Sequence, residues 1–219
     1  MNEKNNAFQR CVFCDFDGTI TAEESLEAVF KRFAPGVFER IKAKMIALEI
    51  SIRDGVRQTL ESIPSASYPD ILEYVKNIPI RPGFESLLDF LDDQGVPFVI
   101  VSGGLRDMVD ARLGSLVNRM HKIFAADVDI SGEFMKVTSD FEGDMELVAK
   151  VDVMNLFNAK QKIVIGDGVT DINMAQKGSP VFARDSLAFF FDQMKLPYNQ
   201  WSDFSDVKNA LQTLWEKSD

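Results

Sequence analysis

Apolar residues recur along the chain with two spacings, one typical of strands and the other typical of helices. Short continuous apolar runs, each ended by glycine, proline or polar residues, predict strands that are buried on both faces. These runs are residues 11–16, 97–101, 123–126, 162–166 and 180–183. Apolar residues three and four positions apart predict helices elsewhere. Strands that alternate with helices in this way indicate an α/β fold with helices on both faces of a parallel sheet.

Residues 22–81, which we call the cap segment, interrupt this alternation. Their apolar spacing predicts consecutive helices with no strand between them, at residues 23–33, 37–48, 51–63 and 68–78. The cap segment follows directly on the first strand. We therefore expect a Rossmann-like, doubly wound core formed by residues 1–21 and 82–219, into which residues 22–81 are inserted as a separate helical cap domain.

The rest of the chain is predicted to hold one hairpin and six further helices. Alternating polar and apolar residues over 127–140, on either side of Ser131 and Gly132, predict the β-hairpin. Residues 180–183 are the last predicted strand. The remaining helices are predicted at residues 84–91, 105–116, 145–157, 170–177, 186–194 and 204–215.

Polar clusters stand at the ends of several predicted strands. They are Asp15 with Asp17, Ser102 with Gly103 and Gly104, and Gly166 with Asp167. Because ligands of such sheets bind beyond the carboxyl ends of the strands, we expect these clusters to meet at one edge. Asp15 and Asp17 would share one face of an extended chain. Their charges are unfavourable at the end of a buried strand unless a cation or a hydrogen-bond network compensates them.

The charge of the chain limits the classes of partner. In 219 residues, 34 acidic and 24 basic side chains give a net charge of −10, which argues against nucleic acid or an anionic membrane as a partner. An anionic small molecule remains compatible, because a bound metal ion reverses the local sign of the charge. No apolar run is long enough to span a bilayer, and the polar N-terminal stretch lacks the apolar centre of a signal peptide. We expect a cytoplasmic protein, and the sequence leaves its oligomeric state open.

Cysteine and histidine give little support to other kinds of chemistry. Cys11 and Cys14 are the two cysteines, and both fall in the first strand, where we expect them to be buried. His121 is the single histidine and lies in a polar stretch. The sequence therefore predicts neither a zinc site nor a serine or cysteine triad.

The chain resembles the haloacid dehalogenase superfamily of phosphohydrolases in four motifs that occur in the family's order. They are Asp15-Phe16-Asp17-Gly18-Thr19, Ser102, Lys150 and Gly166-Asp167-Gly168-Val169-Thr170-Asp171. Each motif alone has a structural explanation, such as a turn serine or a solvated lysine. Their joint occurrence at matching strand ends favours an enzyme, and the resemblance implies that it hydrolyses a small-molecule phosphomonoester.

The resemblance implies a covalent mechanism. Asp15 would be the nucleophile that forms an aspartyl-phosphate, and Asp17 would serve as general acid and then as general base. Lys150 would stabilise the nucleophile and the phosphate as a point charge. Ser102, with the backbone N–H groups near Gly103, would hold a phosphate oxygen.

The resemblance also implies Mg²⁺ as the cofactor. Its protein ligands would be the Asp15 carboxylate, the backbone carbonyl of Asp17 and the Asp167 carboxylate, an oxygen set that suits this ion. Asp171 would either complete the set or orient it from outside.

The substrate depends on the cap segment, and two related families compete. Glu24 lies nine residues after Asp15 and matches the glutamate with which phosphoserine phosphatases bind the substrate's amino group. Arg57 falls near the arginine that they use for the carboxylate, and an arginine fork suits a carboxylate. Either side chain could instead be a solvated charge on a helix.

Other segments resemble the 2-hydroxy-3-keto-5-methylthiopentenyl-1-phosphate phosphatases of methionine salvage. They are residues 33–35, 51–56, 80–84 and 181–185. The substrate of that family has a thioether tail and no amino group. Apolar side chains of the cap segment could bind the tail, namely Phe30, Phe33, Met45 or Leu48, although the same spacing is more typical of the core of a helix bundle. A non-catalytic protein that binds a phosphorylated ligand is the third alternative.

Overall fold

The structure is a computed structural model that describes residues 8–216. Its strands are β1 (Phe8–Cys14), β2 (Phe98–Leu105), β3 (Lys122–Asp129), β4 (Lys136–Thr138), β5 (Ala159–Gly166), β6 (Val181–Ala183) and β7 (Asn199–Gln200). Within the described residues they form a seven-stranded sheet in the order β4-β3-β2-β1-β5-β6-β7. Neighbouring strands are parallel, except that β3 and β4 are antiparallel.

The helices lie between these strands and in the cap segment. They are α1 (Ser25–Phe33), α2 (Pro35–Ile46), α3 (Ile52–Leu60), α4 (Tyr68–Lys76), α5 (Phe84–Asp93), α6 (Arg106–Leu113), α7 (Lys150–Asn155), α8 (Ile172–Ala175), α9 (Asp185–Met194) and α10 (Phe204–Glu216). The predicted α/β fold class is confirmed. The cap segment holds α1 to α4, and its status as a separate domain stays a prediction. Over residues 8–216, no helix has both the length and the apolar composition that crossing a membrane requires.

Side chains of β1 alternate between the two faces of the sheet and anchor an apolar core on each. Val12 and Cys14 pack in one fully buried cluster with residues of α5 and α10. Cys11 and Phe13 point to the other face, where residues of α7, α8 and α9 cover them. Because both faces are covered, β1 lies at the centre of the molecule, and the residues that follow it emerge at a fixed place on the edge of the sheet.

A third apolar cluster joins the cap segment to the rest of the molecule. Phe30 of α1 and Ile71 of α4 pack there with Met108 of α6, with Val137 of β4 and with Met135, which precedes β4. Phe30 is therefore a core residue, as the spacing favoured, and the cluster fixes one side of the cap segment against the edge of the sheet.

Helix α7 begins at Lys150, whereas the spacing predicts a helix from residue 145. The backbone of the preceding residues bonds elsewhere: the Met145 carbonyl accepts the N–H of Arg53, at 2.8 Å, and the Ala149 N–H donates to the Phe141 carbonyl, at 2.7 Å. These tertiary bonds replace helical ones, so residues 145–149 form a loop against the cap segment.

The edges of the sheet differ in how well the sequence predicts them. The predicted hairpin over 127–140 is confirmed, because Val128 of β3 pairs with Val137 of β4. Strand β7, which the sequence analysis does not predict, pairs with β6, so the predicted strand at residues 180–183 is not the last one. Its two residues, Asn199 and Gln200, are polar, and such a short strand carries no apolar alternation.

Phe84 gives a test of the core between α5 and α10. Its side chain is 1% exposed, and its ring centroid lies 5.7 Å from that of Phe98 and 5.1 Å from that of Phe204. We expect Phe84→Ala to lower the free energy of unfolding by about 3–5 kcal/mol, because it leaves a cavity. As a control, Phe189→Ala, at a side chain that is 59% exposed, should change it by less than about 0.5 kcal/mol. Urea unfolding measures both, and equal losses would contradict this account of the core.

Candidate active site

The strand register brings the predicted polar clusters to one edge of the sheet. Cys14, the last residue of β1, pairs with Ile100 of β2 and with Ile165 of β5, so the residues that follow these three positions leave the paired region at the same level of the sheet. Asp15 continues the ladder by one bond, from its N–H to the carbonyl of Ile165 at 3.0 Å. On β2, pairing with β3 is irregular between Val101 and Leu105. The residues that follow or end these strands therefore converge.

Lys150 links two of the predicted carboxylates. Its Nζ lies 2.5 Å from Asp15 Oδ1 and 2.7 Å from Asp171 Oδ1. All three side chains are buried. Burial alone would lower the pKa of Lys150, but the charges of Asp15 and Asp171 outweigh it and raise the pKa. The lysine therefore stays charged, and it fixes the Asp15 carboxylate at the end of β1.

The acidic residues around Lys150 carry more negative charge than it neutralises. Asp15, Asp167 and Asp171 can each direct one carboxylate oxygen so that the three atoms lie within 4.8 Å of one another. Burial, and then the charge of Asp171, raises the pKa of Asp15 well above its usual range. The same causes raise the pKa of Asp167 to about 6. A buried oxygen cluster with excess negative charge fits a hard divalent cation.

Hydrogen bonds from the cap segment and from β2 hold the Asp17 carboxylate. Its Oδ1 accepts the Ser25 hydroxyl and the N–H of Leu26, the latter at 3.2 Å. Its Oδ2 accepts the hydroxyl of Ser102 at 3.0 Å, and that hydroxyl oxygen in turn accepts the N–H of Gly104 at 2.9 Å. Asp17 therefore contacts α1 of the cap segment and β2 of the sheet at once.

The loop after β5 is closed by one carboxylate. Asp171 Oδ2 accepts the backbone N–H groups of Asp167 and Gly168, each at 3.0 Å. A Cβ at Gly166 would lie 2.5 Å from the same oxygen, so a larger residue does not fit there. The Thr19 hydroxyl donates to Asp167 Oδ1 and ties this loop to the one after β1.

Gly18 follows Asp17 in a conformation that favours glycine. Its φ is +77°, and a Cβ would lie 2.5 Å from Asp167 Oδ2 and 2.9 Å from Glu24 Oε1. Both the backbone conformation and the close approach of the two carboxylates therefore require that position to have no side chain.

A cavity of about 120 Å³ opens above these residues. Its polar end is formed by Asp15, Asp17, Gly103, Lys150, Gly168 and Thr170, and its apolar wall by Leu26, Ile52, Val56, Leu147 and Val148. Glu24, Arg53 and Glu146 supply the other charged groups that line it. The cap segment and the sheet edge thus enclose one cavity between them, with a charged end and an apolar side.

A family model described as haloacid dehalogenase-like hydrolase matches residues 12–176. The chain belongs to this family. It is similar to a 2-hydroxy-3-keto-5-methylthiopentenyl-1-phosphate phosphatase of Microcystis aeruginosa, with 44% identity over 92% of this chain and 97% of the relative. A protein of the same name from Bacillus cytotoxicus is 33% identical over 94% of this chain and 97% of its own length. These findings confirm the resemblance and the enzyme class that the motifs indicate, a haloacid dehalogenase-like phosphatase.

A solved structure of a phosphoserine phosphohydrolase-like protein from Francisella tularensis subsp. tularensis SCHU S4 shares the fold of this family member. The TM-score is 0.69, with 22% sequence identity over 92% of this chain and 99% of that chain. At that identity the likeness supports the architecture only, so the substrate has to be inferred from the residues of the cavity.

The structure separates the two residues that the phosphoserine resemblance singles out. Glu24 lines the cavity, where desolvation and then the charges of Asp167 and Asp15 raise its pKa to about 9, although its side chain remains open to solvent. Arg57 is not among the lining residues. Its guanidinium forms two hydrogen bonds with the Glu142 carboxylate instead, at 2.8 and 2.6 Å.

Several residues of the site are absent from the sequence prediction. Arg53, one helical turn before Arg57, is the arginine that reaches the cavity, and it also donates to the Gly143 carbonyl at 3.1 Å. Ser25, the first residue of α1, contacts Asp17, although a serine in the first turn of a helix carries no signal of such a role. The predicted apolar candidates Phe33, Met45 and Leu48, like Phe30, do not line the cavity. Leu48 is 88% exposed.

Gly18 provides a test of the close packing at the charged end. Gly18→Ala should lower hydrolysis of p-nitrophenyl phosphate at least about 100-fold, because a Cβ within 2.5 Å of Asp167 Oδ2 must displace that carboxylate.

Gly95→Ala is the matched control, since Gly95 also has a positive φ, +62°, but nothing lies within 4 Å of the added Cβ. Each substitution should lower the free energy of unfolding by about 1–2 kcal/mol through backbone strain. Only Gly18→Ala should lose activity, and wild-type turnover in that variant would contradict the described packing.

Proposed function

We propose that this protein is a Mg²⁺-dependent phosphomonoester hydrolase that acts through an aspartyl-phosphate, with 2-hydroxy-3-keto-5-methylthiopentenyl-1-phosphate as its substrate. The observation that carries the proposal is the arrangement of the cavity. Asp15, paired with Lys150, and Asp17 lie at its charged end beside a buried acidic cluster, and an apolar wall continues from there. The relatives that carry this substrate in their names support the choice of ester.

The acidic cluster supports Mg²⁺ as the cofactor by charge and by donor type. We assign Asp15 and Asp167 as carboxylate ligands, together with the backbone carbonyl of Asp17. Both oxygens of Asp171 already accept hydrogen bonds, from Lys150 and from two backbone N–H groups. That arrangement favours Asp171 as the residue that orients the Asp167 loop. The bound ion would neutralise the charge of the phosphate and of the nucleophile.

The first step transfers the phosphoryl group to the protein. One Asp15 carboxylate oxygen attacks phosphorus, a bond forms between them, and the bond from phosphorus to the ester oxygen breaks. Asp17, as a carboxylic acid, donates its proton to the departing alkoxide. Lys150, whose Nζ lies 2.5 Å from Asp15 Oδ1, holds the nucleophile at the end of β1. The products of this step are the alcohol and an aspartyl-phosphate on Asp15.

The second step hydrolyses the aspartyl-phosphate and regenerates the Asp15 carboxylate. Asp17, now a carboxylate, accepts a proton from water, whose oxygen attacks phosphorus and displaces the Asp15 oxygen. Inorganic phosphate leaves, and both aspartates recover their starting state. The Ser102 hydroxyl, which donates to Asp17 at 3.0 Å, can turn toward a phosphate oxygen instead, with the N–H groups near Gly103 beside it.

The walls of the cavity favour a thioether substrate over phosphoserine. Leu26, Ile52 and Val56 present apolar surface that suits a thioether tail. Arg53, the arginine that lines the cavity, already donates to Asp54 Oδ1 at 2.9 Å and to the Gly143 carbonyl at 3.1 Å, so it is not a free cation for an amino-acid carboxylate. Arg57 already binds Glu142 with both of its terminal nitrogens. Phosphoserine remains the second candidate, because Glu24 lines the cavity and a carboxylate there suits an ammonium group.

The nucleophile and the cofactor are tested together. Asp15→Asn should lower kcat by at least about 1000-fold, because an amide cannot displace the alkoxide, while leaving a folded protein. EDTA should abolish phosphate release by the wild type, and added Mg²⁺ should restore it. Turnover by Asp15→Asn at the wild-type rate would refute the covalent mechanism. Failure of the wild type to hydrolyse any ester would favour a non-catalytic phospholigand-binding protein.

The substrate is tested with a panel and one wall variant. The wild type should have its highest kcat/KM on the methylthiopentenyl phosphate, generated enzymatically in place, and a lower value on phosphoserine. Val56→Asp should lower kcat/KM on the thioether ester by about 10- to 200-fold, because the tail would meet an unpaired carboxylate, with a smaller effect on glycerol phosphate.

Leu48→Asp is the matched control, because it adds the same carboxylate to an exposed part of the cap segment, and it should leave all substrates unchanged. A preference of the wild type for phosphoserine would reverse the substrate assignment and would give Glu24 the substrate's amino group.

A further inference from the structure

Arg81 lies where the chain returns from the cap segment to the sheet. At this point the outgoing and returning chains run side by side: Thr21 bridges to Ile80, and the Arg81 N–H donates to the Ile20 carbonyl at 2.9 Å. The Arg81 side chain is 9% exposed and points under the loop that follows Asp17. Arg81 falls within residues 80–84, one of the segments that resemble the methionine-salvage phosphatases, but that resemblance gives it no chemical role.

The guanidinium of Arg81 binds three carbonyl oxygens of that single loop. It donates to the carbonyl of Gly18 at 2.5 Å, to that of Thr19 at 3.0 Å and to that of Thr21 at 3.4 Å. Hydrogen bonds from a charged donor are about twice as strong as neutral ones. Its planar fork matches several acceptors at once, which a lysine ammonium does not do. The charge that is buried here therefore stabilises one backbone conformation of residues 18–21.

This loop carries a contact of the active site on its other side. The Thr19 hydroxyl donates to Asp167 Oδ1, and Gly18 lies so close to Asp167 that no Cβ fits between them. Arg81 itself does not line the cavity. A change in the carbonyl positions of Gly18 and Thr19 would move the hydroxyl that holds Asp167.

We propose that Arg81 is a positioning residue, which fixes residues 18–21 so that Thr19 holds Asp167 in place for Mg²⁺ and for the phosphoryl transfer. The proposal rests on the proposed function only for the role of Asp167 as a Mg²⁺ ligand.

Arg184 offers a matched control. Its guanidinium lies 5.3 Å from the centroid of the Trp201 ring, and that of Arg81 lies 5.4 Å from the same centroid. The hydrogen bonds of Arg184 go to Asp185 and to the Ser202 carbonyl, away from residues 18–21. Replacing Arg184 therefore removes a nearby positive charge without loosening the loop.

The sign of the change in Mg²⁺ affinity separates positioning from charge. Removal of a buried cation near Asp167 would, by electrostatics alone, strengthen the binding of another cation. Loss of a positioning contact should weaken it, and substitutions in the groups that orient metal ligands typically weaken metal binding by 10–100-fold. A role confined to stability would leave the affinity unchanged.

The experiment is titration calorimetry of Mg²⁺ into the wild type and the Arg81→Met, Arg81→Lys and Arg184→Met variants, with urea unfolding and steady-state kinetics on p-nitrophenyl phosphate. We expect Arg81→Met to raise the Kd for Mg²⁺ by about 10–100-fold and, at saturating Mg²⁺, to lower kcat more than it changes KM. Arg81→Lys should lie between it and the wild type, because one ammonium reaches fewer carbonyls. Arg184→Met should stay within about twofold of the wild type.

An unchanged or lower Kd in a folded Arg81 variant would overturn the proposal. If Arg81→Met does not fold, the Arg81→Lys variant decides by the same criterion. A wild type that binds no Mg²⁺ would refute the cofactor assignment in the proposed function, and exchange of the amide hydrogens of residues 18–21 would then test Arg81 alone. Faster exchange in Arg81→Lys than in the wild type is expected, and equal exchange would again overturn the proposal.

Discussion

The structure around the cavity depends on one electrostatic constraint, the concentration of buried carboxylates at the ends of β1 and β5. Carboxylate oxygens of three aspartates lie close together there, those of Asp15, Asp167 and Asp171. Lys150 forms ion pairs with Asp15 and Asp171. Burial and mutual repulsion favour the protonated forms of Asp15 and Asp167, so the ionised state that chemistry requires depends on compensation by cations. Lys150 supplies a fixed part of that compensation, and the negative charge that remains favours a further cation there.

Close packing of the backbone makes this concentration of charge possible. Gly18 and Gly166 leave room for carboxylate oxygens that a Cβ would displace. One carboxylate oxygen of Asp171 accepts hydrogen bonds from the backbone of its own loop, and the other accepts one from Lys150. Hydrogen bonds from Lys150, from Thr19 and from backbone N–H groups consequently hold the carboxylates in place although their charges repel one another.

The cap segment contacts Asp17 as well as shaping the cavity. Ser25 and the N–H of Leu26 bind the carboxylate of Asp17, while Leu26, Ile52 and Val56 form apolar wall. Arg53 and Arg57 of α3 contact the loop that leads into Lys150, through Gly143 and Glu142. The position of the cap segment relative to the sheet therefore determines both the environment of Asp17 and the apolar wall of the cavity.

The sequence by itself determined the α/β class, the helical cap segment and the residues at the charged end of the cavity. The apolar runs locate the ends of β1 and β5, whereas β2 continues through Ser102 to Leu105, beyond its predicted end at residue 101. Polar residues near those ends meet because parallel strands share one carboxyl edge. Asp15, Asp17, Ser102 and Asp167 could be named for that reason. Lys150 and Asp171 required the family resemblance, because a lone lysine or aspartate on a helix carries no signal of its own.

Only the tertiary structure decided which side chains of the cap segment face the cavity. Helical spacing shows that a face is apolar but not what it packs against; Phe30 faces the core, whereas Leu26 and Val56 face the cavity. One helical turn separates Arg53, at the cavity, from Arg57, paired with Glu142. The contacts of Arg81 with residues 18–21 likewise span about sixty positions of sequence. Such contacts depend on how helices are oriented after they form, which the local spacing of residues does not encode.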